Sequence, residues 1–244
     1  MKRILLLTVL ASALAALGAN ATAGANGAAR ETAKTDSANF VKKQCAGCHG
    51  EHGNGLKPAV PKLAGQHADY LYKQLRNFKA ADGKPMGPDM YPTPSDLVYV
   101  AAPEGKLPER RNPVYFLAMN GMVMKLTDAD MKSVAKYFSE QRVSLAVAAA
   151  KNDQAFESAK RLYRVGDPAR GLASCAGCHG PTGAGLPAQF PRLAGQFASY
   201  TVTQLKSFRS GERFNDPNSM MRDIAYKLSD DEIGQLSDYI AGLR

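Results

Sequence analysis

Apolar residues recur at helical spacing in several parts of this chain. Within residues 66–78, Leu71, Leu75 and Phe78 stand at i, i+4 and i+7, the apolar stripe of an amphipathic helix. Met131, Val134, Ala135 and Phe138 share one helical face, and Ile233, Leu236 and Ile240 share another. Ser229 and Glu232 form a capping box at the head of that last helix, and Thr127 holds the same place before the earlier one. The run "DQAFESAKRLYRVGD" predicts a further helix from Asp153. No segment alternates as a strand would, so the predicted fold class is all-α. The connecting stretches are rich in Gly and Pro, and short helices joined by such loops bury little apolar surface. They need something further to pack on.

The pattern is also written twice. Shifted by 130 residues, "PKLAGQHADYLYKQLRNF" (61–78) lies over "PRLAGQFASYTVTQLKSF" (191–208), with ten of eighteen positions identical. The register then changes: "KLTDADMKSVAKYF" (125–138) lies over "KLSDDEIGQLSDYI" (227–240) at a shift of 102. The first half therefore carries 28 extra residues, 130 minus 102. This predicts a duplicated domain, 24–145 and 146–244, with an insertion at about 80–118 in the first copy. Seven of the fourteen prolines fall between Lys79 and Met119. An aperiodic Pro-rich stretch of this kind predicts a loop, and long ordered loops are often functional. It could cover a ligand edge, dock a partner through Arg110 and Arg111, or have no specific role.

Composition adds a compartment. A basic "MKR" start, an uncharged apolar run from Ile4 to Leu17 and small residues ending at Ala21 or Ala23 form a signal-peptide pattern over 1–23. The apolar run is shorter than the roughly 20 residues of a membrane span. Cleavage near Ala21 or Ala23 would leave an exported protein. The full chain has a net charge of +9. Residues 24–145 hold seventeen basic and twelve acidic side chains, and 146–244 hold twelve and ten, so the excess sits in the first half. Such a surface suits an acidic protein partner or simple solubility. No Lys/Arg block is dense enough to argue for nucleic acid.

All four cysteines lie in two copies of "CAGCHG", at 45–50 and 175–180. C-x-x-C-H is the attachment signal of haem c. Thiols at i and i+3 lie on one side of a helical turn and can bond the two vinyl groups of a porphyrin. A histidine at i+4 lies on the same side and can reach the iron. Cys45 and Cys48 with His49, and Cys175 and Cys178 with His179, are thus predicted to hold two covalently bound haems. A thioredoxin-like pair would expect a βαβ setting. A single zinc site built from both pairs would leave both histidines superfluous. A large apolar macrocycle also meets the packing need of each small domain.

A second protein ligand on iron favours electron transfer, whereas an open side permits binding or catalysis. Of nine methionines, only Met119 and Met221 coincide at the 102-residue shift, and they are the predicted axial partners of His49 and His179. Met122, Met124 and Met220 are the alternatives, and core packing is the other role open to Met119 and Met221. Pro61 and Pro191 each follow the motif histidine by twelve residues. A rigid loop carbonyl there would suit the histidine ring N–H; an ordinary turn proline is the other reading. His52 and His67 have no counterpart in the second copy and read as surface or loop residues.

On "CAGCHG", "P(K/R)LAGQ", "Y…QL..F", the methionine before "KLSDDE" and the final "YIAGLR", the chain resembles the cytochrome c4 family of bacterial dihaem cytochromes, over nearly all of its mature length. The resemblance implies two class I cytochrome c folds related by a pseudo-twofold, with their haems close together. It also implies His/Met ligation at both irons and Pro61 and Pro191 carbonyls holding the haem histidines. The implied role is periplasmic, carrying electrons to a terminal oxidase or another periplasmic redox enzyme. The insertion departs from the family pattern.

Two alternatives stand beside the carrier. One is the haem-bearing subunit of a dehydrogenase, flavocytochrome c in type. The other is a dihaem enzyme with one open iron. Peripheral association with the membrane surface is compatible with all three.

Overall fold

The computed structural model describes residues 37–79, 113–144, 153–187 and 189–243. The predicted leader and most of the predicted insertion lie outside these residues. The first domain comprises α1 (37–44), α2 (Ala46–His49), α3 (Ala68–Lys79), α4 (Pro113–Val123) and α5 (Asp128–Ser139). The second comprises α6 (Asp153–Val165), a 3₁₀ turn at Pro168–Arg170, α7 (Cys175–His179) and α8 (Ala198–Ser210). A second 3₁₀ turn at Pro217–Ser219, α9 (Met220–Tyr226) and α10 (Asp230–Ala241) complete it. Among the described residues β-structure is confined to two isolated bridges, Asp167 to Leu172 and Leu186 to Phe190.

The offsets of the sequence repeat are those of the helices. α5 and α10 begin and end 102 residues apart, and α3 and α8 begin 130 apart. Their starts are fixed by the same device. The Thr127 and Ser229 hydroxyls accept from the backbone N–H of Asp130 and Glu232, whose carboxylates accept from the cap N–H in return. Each box satisfies N–H groups that a helix leaves orphaned.

One expectation is corrected here. The predicted loop insertion ran to residue 118, but the chain is already helical from Pro113. A proline at the first helical position forfeits no hydrogen bond, because that N–H has no partner in the helix, and its fixed φ suits the turn. Proline content alone therefore overran the loop.

In the second domain α10 packs against both α6 and α8. Ile233, Leu236 and Ile240 on its inner face meet Tyr163, Leu205 and Leu228. In the first domain α3 packs on α5, with Leu71, Val134, Ala135 and Phe138 joined by Val41 of α1. Val123, Leu126 and Met131 form a smaller cluster beside it, flanked by Met119.

The two domains are clasped by a reciprocal pair of amides. Gln66 donates through Nε2 to the Arg192 carbonyl (2.9 Å) and accepts the Arg192 N–H (2.8 Å). Gln196 donates to the Lys62 carbonyl and accepts the Lys62 N–H, both at 3.0 Å. Lys62 and Arg192, and Gln66 and Gln196, are equivalents at the 130-residue shift. Each contact is therefore the image of the other, which is a pseudo-twofold relation between the halves. The Gln66 and Lys62 side chains are buried in the seam.

Candidate haem sites

The hexapeptide is folded the same way in both domains. Its cysteines and histidine span one helical turn, with Cys45 capping α2 and Cys175 opening α7, so the i, i+3 and i+4 side chains line one side. Gly50 and Gly180 then end the turn at φ 77° and 78°, a left-handed geometry that glycine adopts without strain. Their N–H groups bond the Ala46 and Ala176 carbonyls at 2.9 Å. The chain loops back at once: the Gly55 and Gly185 N–H groups bond the His49 and His179 carbonyls at 2.8 Å. Further on, the Gly53 carbonyl accepts from Leu63 and Ala64, and the Gly183 carbonyl from Leu193 and Ala194. This returning loop carries a proline carbonyl beside each histidine.

His49 Nδ1 lies 3.0 Å from the Pro61 carbonyl, and His179 Nδ1 lies 2.9 Å from the Pro191 carbonyl. A carbonyl can only accept, so Nδ1 carries the proton in each ring and Nε2 keeps its lone pair. Both imidazoles are buried. Burial pushes their pKa down and the bond to the proline carbonyl opposes it, with burial the larger cause. The result is a neutral, oriented imidazole with Nε2 free, the form that ligates a metal.

Cys45 and Cys175 are half-buried, Cys48 and Cys178 are exposed, and none of the four is in a disulfide. Burial pushes the Cys45 and Cys175 thiols up to about 11. Redox-active C-x-x-C pairs need the opposite, a depressed thiol pKa. Nor are the two pairs gathered for zinc: among the described residues no three His, Cys, Asp or Glu side chains are grouped to hold a metal ion. The donor set of two thiols and a neutral imidazole per turn fits haem c, with the cysteines forming thioethers and the imidazole facing iron.

Met119 is half-buried on α4, and Met221 is half-buried as the second residue of α9. Each flanks its own domain's core. The alternatives Met122 and Met124 are exposed, whereas Met220 is half-buried like Met221. His52 is a surface residue bonded to the Gln141 amide oxygen at 3.2 Å. His67 precedes α3 as a loop residue, yet its Nε2 is sealed from solvent with no protein partner. Two further residues were not foreseen. The Tyr163 hydroxyl, fully buried, donates to the Gly180 carbonyl at 2.7 Å behind the motif. The Asp216 carboxylate accepts the Met221 N–H at 3.0 Å. Neither is repeated at the equivalent sequence position, so the duplication carried no signal for them.

Gly185 is a local test of this scaffold. At φ 77° an added Cβ would sit 2.4 Å from the Phe190 carbonyl oxygen and 2.6 Å from Pro191 C. Gly185→Ala combines a strained left-handed residue with backbone overlap next to the His179 acceptor. Thermal unfolding should show the second domain destabilised by about 2–5 kcal/mol; a loss below about 1 kcal/mol would mean that the loop can yield.

Two matches to the family model of cytochrome c cover residues 35–141 and 146–244. The molecule is thus a tandem of two cytochrome c domains. Cytochrome c4 of Azotobacter vinelandii is 41% identical over 82% of this chain and 84% of that protein. Cytochrome c4 of Stutzerimonas stutzeri is 40% identical over 91% of this chain and 95% of its own length. The crystal structure of reduced cytochrome c4 from Pseudomonas stutzeri superposes with a TM-score of 0.67 at 38% identity, covering 86% of this chain and 98% of that one. The chain belongs to the cytochrome c4 family, and its cofactors are two covalently bound haems c. A thiosulfate dehydrogenase electron acceptor of Stutzerimonas stutzeri is also similar, 33% identical over 84% of this chain and 82% of that protein. Membership of this family makes the protein a dihaem electron-transfer cytochrome.

Proposed function

We propose that this chain is a periplasmic electron carrier with both irons closed. Cys45, Cys48 and His49 hold the first haem, and Cys175, Cys178 and His179 hold the second. Met119 and Met221 are the opposing axial ligands. The carrying observation is the matched pair of buried, neutral imidazoles, each held by a proline carbonyl, in two domains that also present a half-buried methionine at equivalent positions.

When bound, haem supplies a reversible one-electron couple at iron. The protein's residues set its conditions. The Pro61 and Pro191 carbonyls orient the imidazoles and raise their basicity. Methionine on the opposite side raises the potential and denies iron to external ligands. The burial of both histidine rings keeps water from that side, so that electron transfer needs little reorganisation of solvent.

Residues 1–23 act as an export signal cleaved near Ala21 or Ala23, and the domains divide at 145/146. Among the described residues no helix is long and apolar enough to cross a membrane. The electron acceptor is a terminal oxidase or another periplasmic redox enzyme. Similarity to a thiosulfate dehydrogenase electron acceptor supports a dehydrogenase as the donor. That donor reading is tested by following haem reduction on mixing with the dehydrogenase and its substrate.

The closed-iron reading is tested with carbon monoxide. The reduced holoprotein is expected to show no change in haem absorbance on exposure to the gas. A spectrum typical of a carbonyl adduct at one haem would reject the methionine ligand in that domain and favour an enzymatic role.

A further inference from the structure

The loop between α8 and α9 leads directly to Met221, and it is fastened to the other domain. Arg213 donates to the Tyr70 hydroxyl at 2.9 Å and to the Gln74 amide oxygen at 3.4 Å, both on α3 of the first domain. Asn215 donates to the same Gln74 oxygen at 2.8 Å, and Lys73 Nζ donates to the Asn215 carbonyl at 2.9 Å. Within its own domain Arg213 is anchored by Gln204 (2.7 Å) and lies over the Phe208 ring at 4.4 Å. One residue beyond Asn215 stands Asp216, only 5% exposed. Its carboxylate accepts the Met221 and Arg222 N–H groups at 3.0 Å and pairs with Arg222 Nε at 2.9 Å.

Between Asp216 and Met221 the backbone is strained. Asn218 and Ser219 take φ of 52° and 57°, two successive non-glycine residues in the left-handed region. Such a conformation persists only where the surroundings over-determine it. The surroundings here are Asp216 on one side and the contacts to α3 on the other.

We infer that the first domain positions the second domain's iron ligand: Tyr70, Lys73 and Gln74 clamp Arg213 and Asn215, and Asp216 passes that constraint to Met221. These are positioning residues, and none of them ligates iron. The inference rests on the reading of Met221 as a ligand. Its consequence is quantitative. An external ligand reaches the iron only when the methionine loop opens, so its apparent affinity scales with the open fraction. The clamp keeps that fraction small. Hydrogen bonds to a charged group are among the stronger ones, and losing two of them should raise the open fraction, and so the apparent affinity, roughly tenfold or more.

The test uses the oxidised holoprotein titrated with imidazole, comparing the parent with the Tyr70→Phe/Gln74→Ala double variant and, separately, with Asp216→Asn. Tyr70→Phe keeps the ring and removes only the acceptor oxygen. Loss of the methionine-to-iron charge-transfer absorption gives the affinity. Proton NMR of the reduced protein identifies the two bound methionine methyls, assigned with Met119→Ala and Met221→Ala. The expected result is an affinity about tenfold higher at the second iron in both variants, with the first iron unchanged. An unchanged second iron, or equal rises at both irons, overturns the clamp while leaving the ligand reading intact. A second methyl signal that survives Met221→Ala overturns the ligand reading itself, and the clamp with it.

Discussion

Replacing Cys175 and Cys178 together with alanine is expected to lower the haem-to-protein ratio from two to one and to leave the second domain largely unfolded. α7 is a single turn of five residues, and the segment after it, up to α8, holds itself by backbone hydrogen bonds and one isolated bridge, Leu186 to Phe190. Its backbone is organised around His179, whose ring is held by Pro191 and whose carbonyl holds Gly185. Without a haem, the His179 Nε2 would lose the partner it is oriented for, and the loop would lose the apolar surface that the group would supply. The helices α6, α8 and α10 share a core around Ile233 and Leu236, but a domain of this size has little stability in reserve. Pyridine haemochrome absorbance reports the ratio, and limited proteolysis reports the unfolding. Cleavage spread over residues 146–244, with the first domain untouched, is the expected pattern. Two haems per chain in the variant would overturn the assignment of these cysteines.

Phe138→Ala should have the largest effect in the first domain, a loss of about 3–5 kcal/mol. The side chain is 1% exposed, contacts the Tyr137 ring edge-on at 5.4 Å and fills the space beneath Gly53. A Cβ built on Gly53 would lie only 2.6 Å from the Phe138 ring. The Phe138 carbonyl also accepts the Gly65 N–H at 3.0 Å. The phenyl ring therefore supports the loop that returns from His49 to Pro61 and beyond, and truncation leaves a cavity under it. Typical domain stabilities are about 5–15 kcal/mol, so the loss is a large fraction of the whole. Denaturant titration should show the first domain unfolding ahead of the second, with two steps in place of one. A shift smaller than about 1 kcal/mol would mean that the loop collapses onto the cavity.

Much of this was legible because the chain states it twice. The change of register from 130 to 102 located α5 and α10, and the capping residues Thr127 and Ser229 marked their first turns. The reciprocal half of the first box, Asp130, was not recognised, since aspartate there does the work of the more familiar glutamate. The haem motif needed only local spacing. What stayed hidden depended on distant parts of the chain. The "LAGQ" repeat was plain, but nothing in it distinguishes a glutamine facing solvent from one that bonds a backbone 126 residues away. Helix α1 carries no duplicated counterpart to point to it. The start of α4 was lost in a proline count, although Pro113 suits a first turn. His67 reads as a loop residue, and only its packing seals Nε2 from water. Arg213 acts through residues of the opposite domain, which no local pattern could indicate, and Asp216 acts through backbone N–H groups five and six residues further on.

The two glutamine contacts have a history written into them. A contact in which each partner presents the same residues to the other is what two identical chains form when they pair. The seam between these domains has the form of a homodimer interface, in which one molecule of a single-domain ancestor would bind its twin. Fusion of the two copies would turn a concentration-dependent encounter into an intramolecular one, at an effective concentration in the millimolar range. It would also free the copies to diverge, and Arg213 and Asp216 on one side, with the long insertion on the other, are differences that no dimer of identical chains could have acquired.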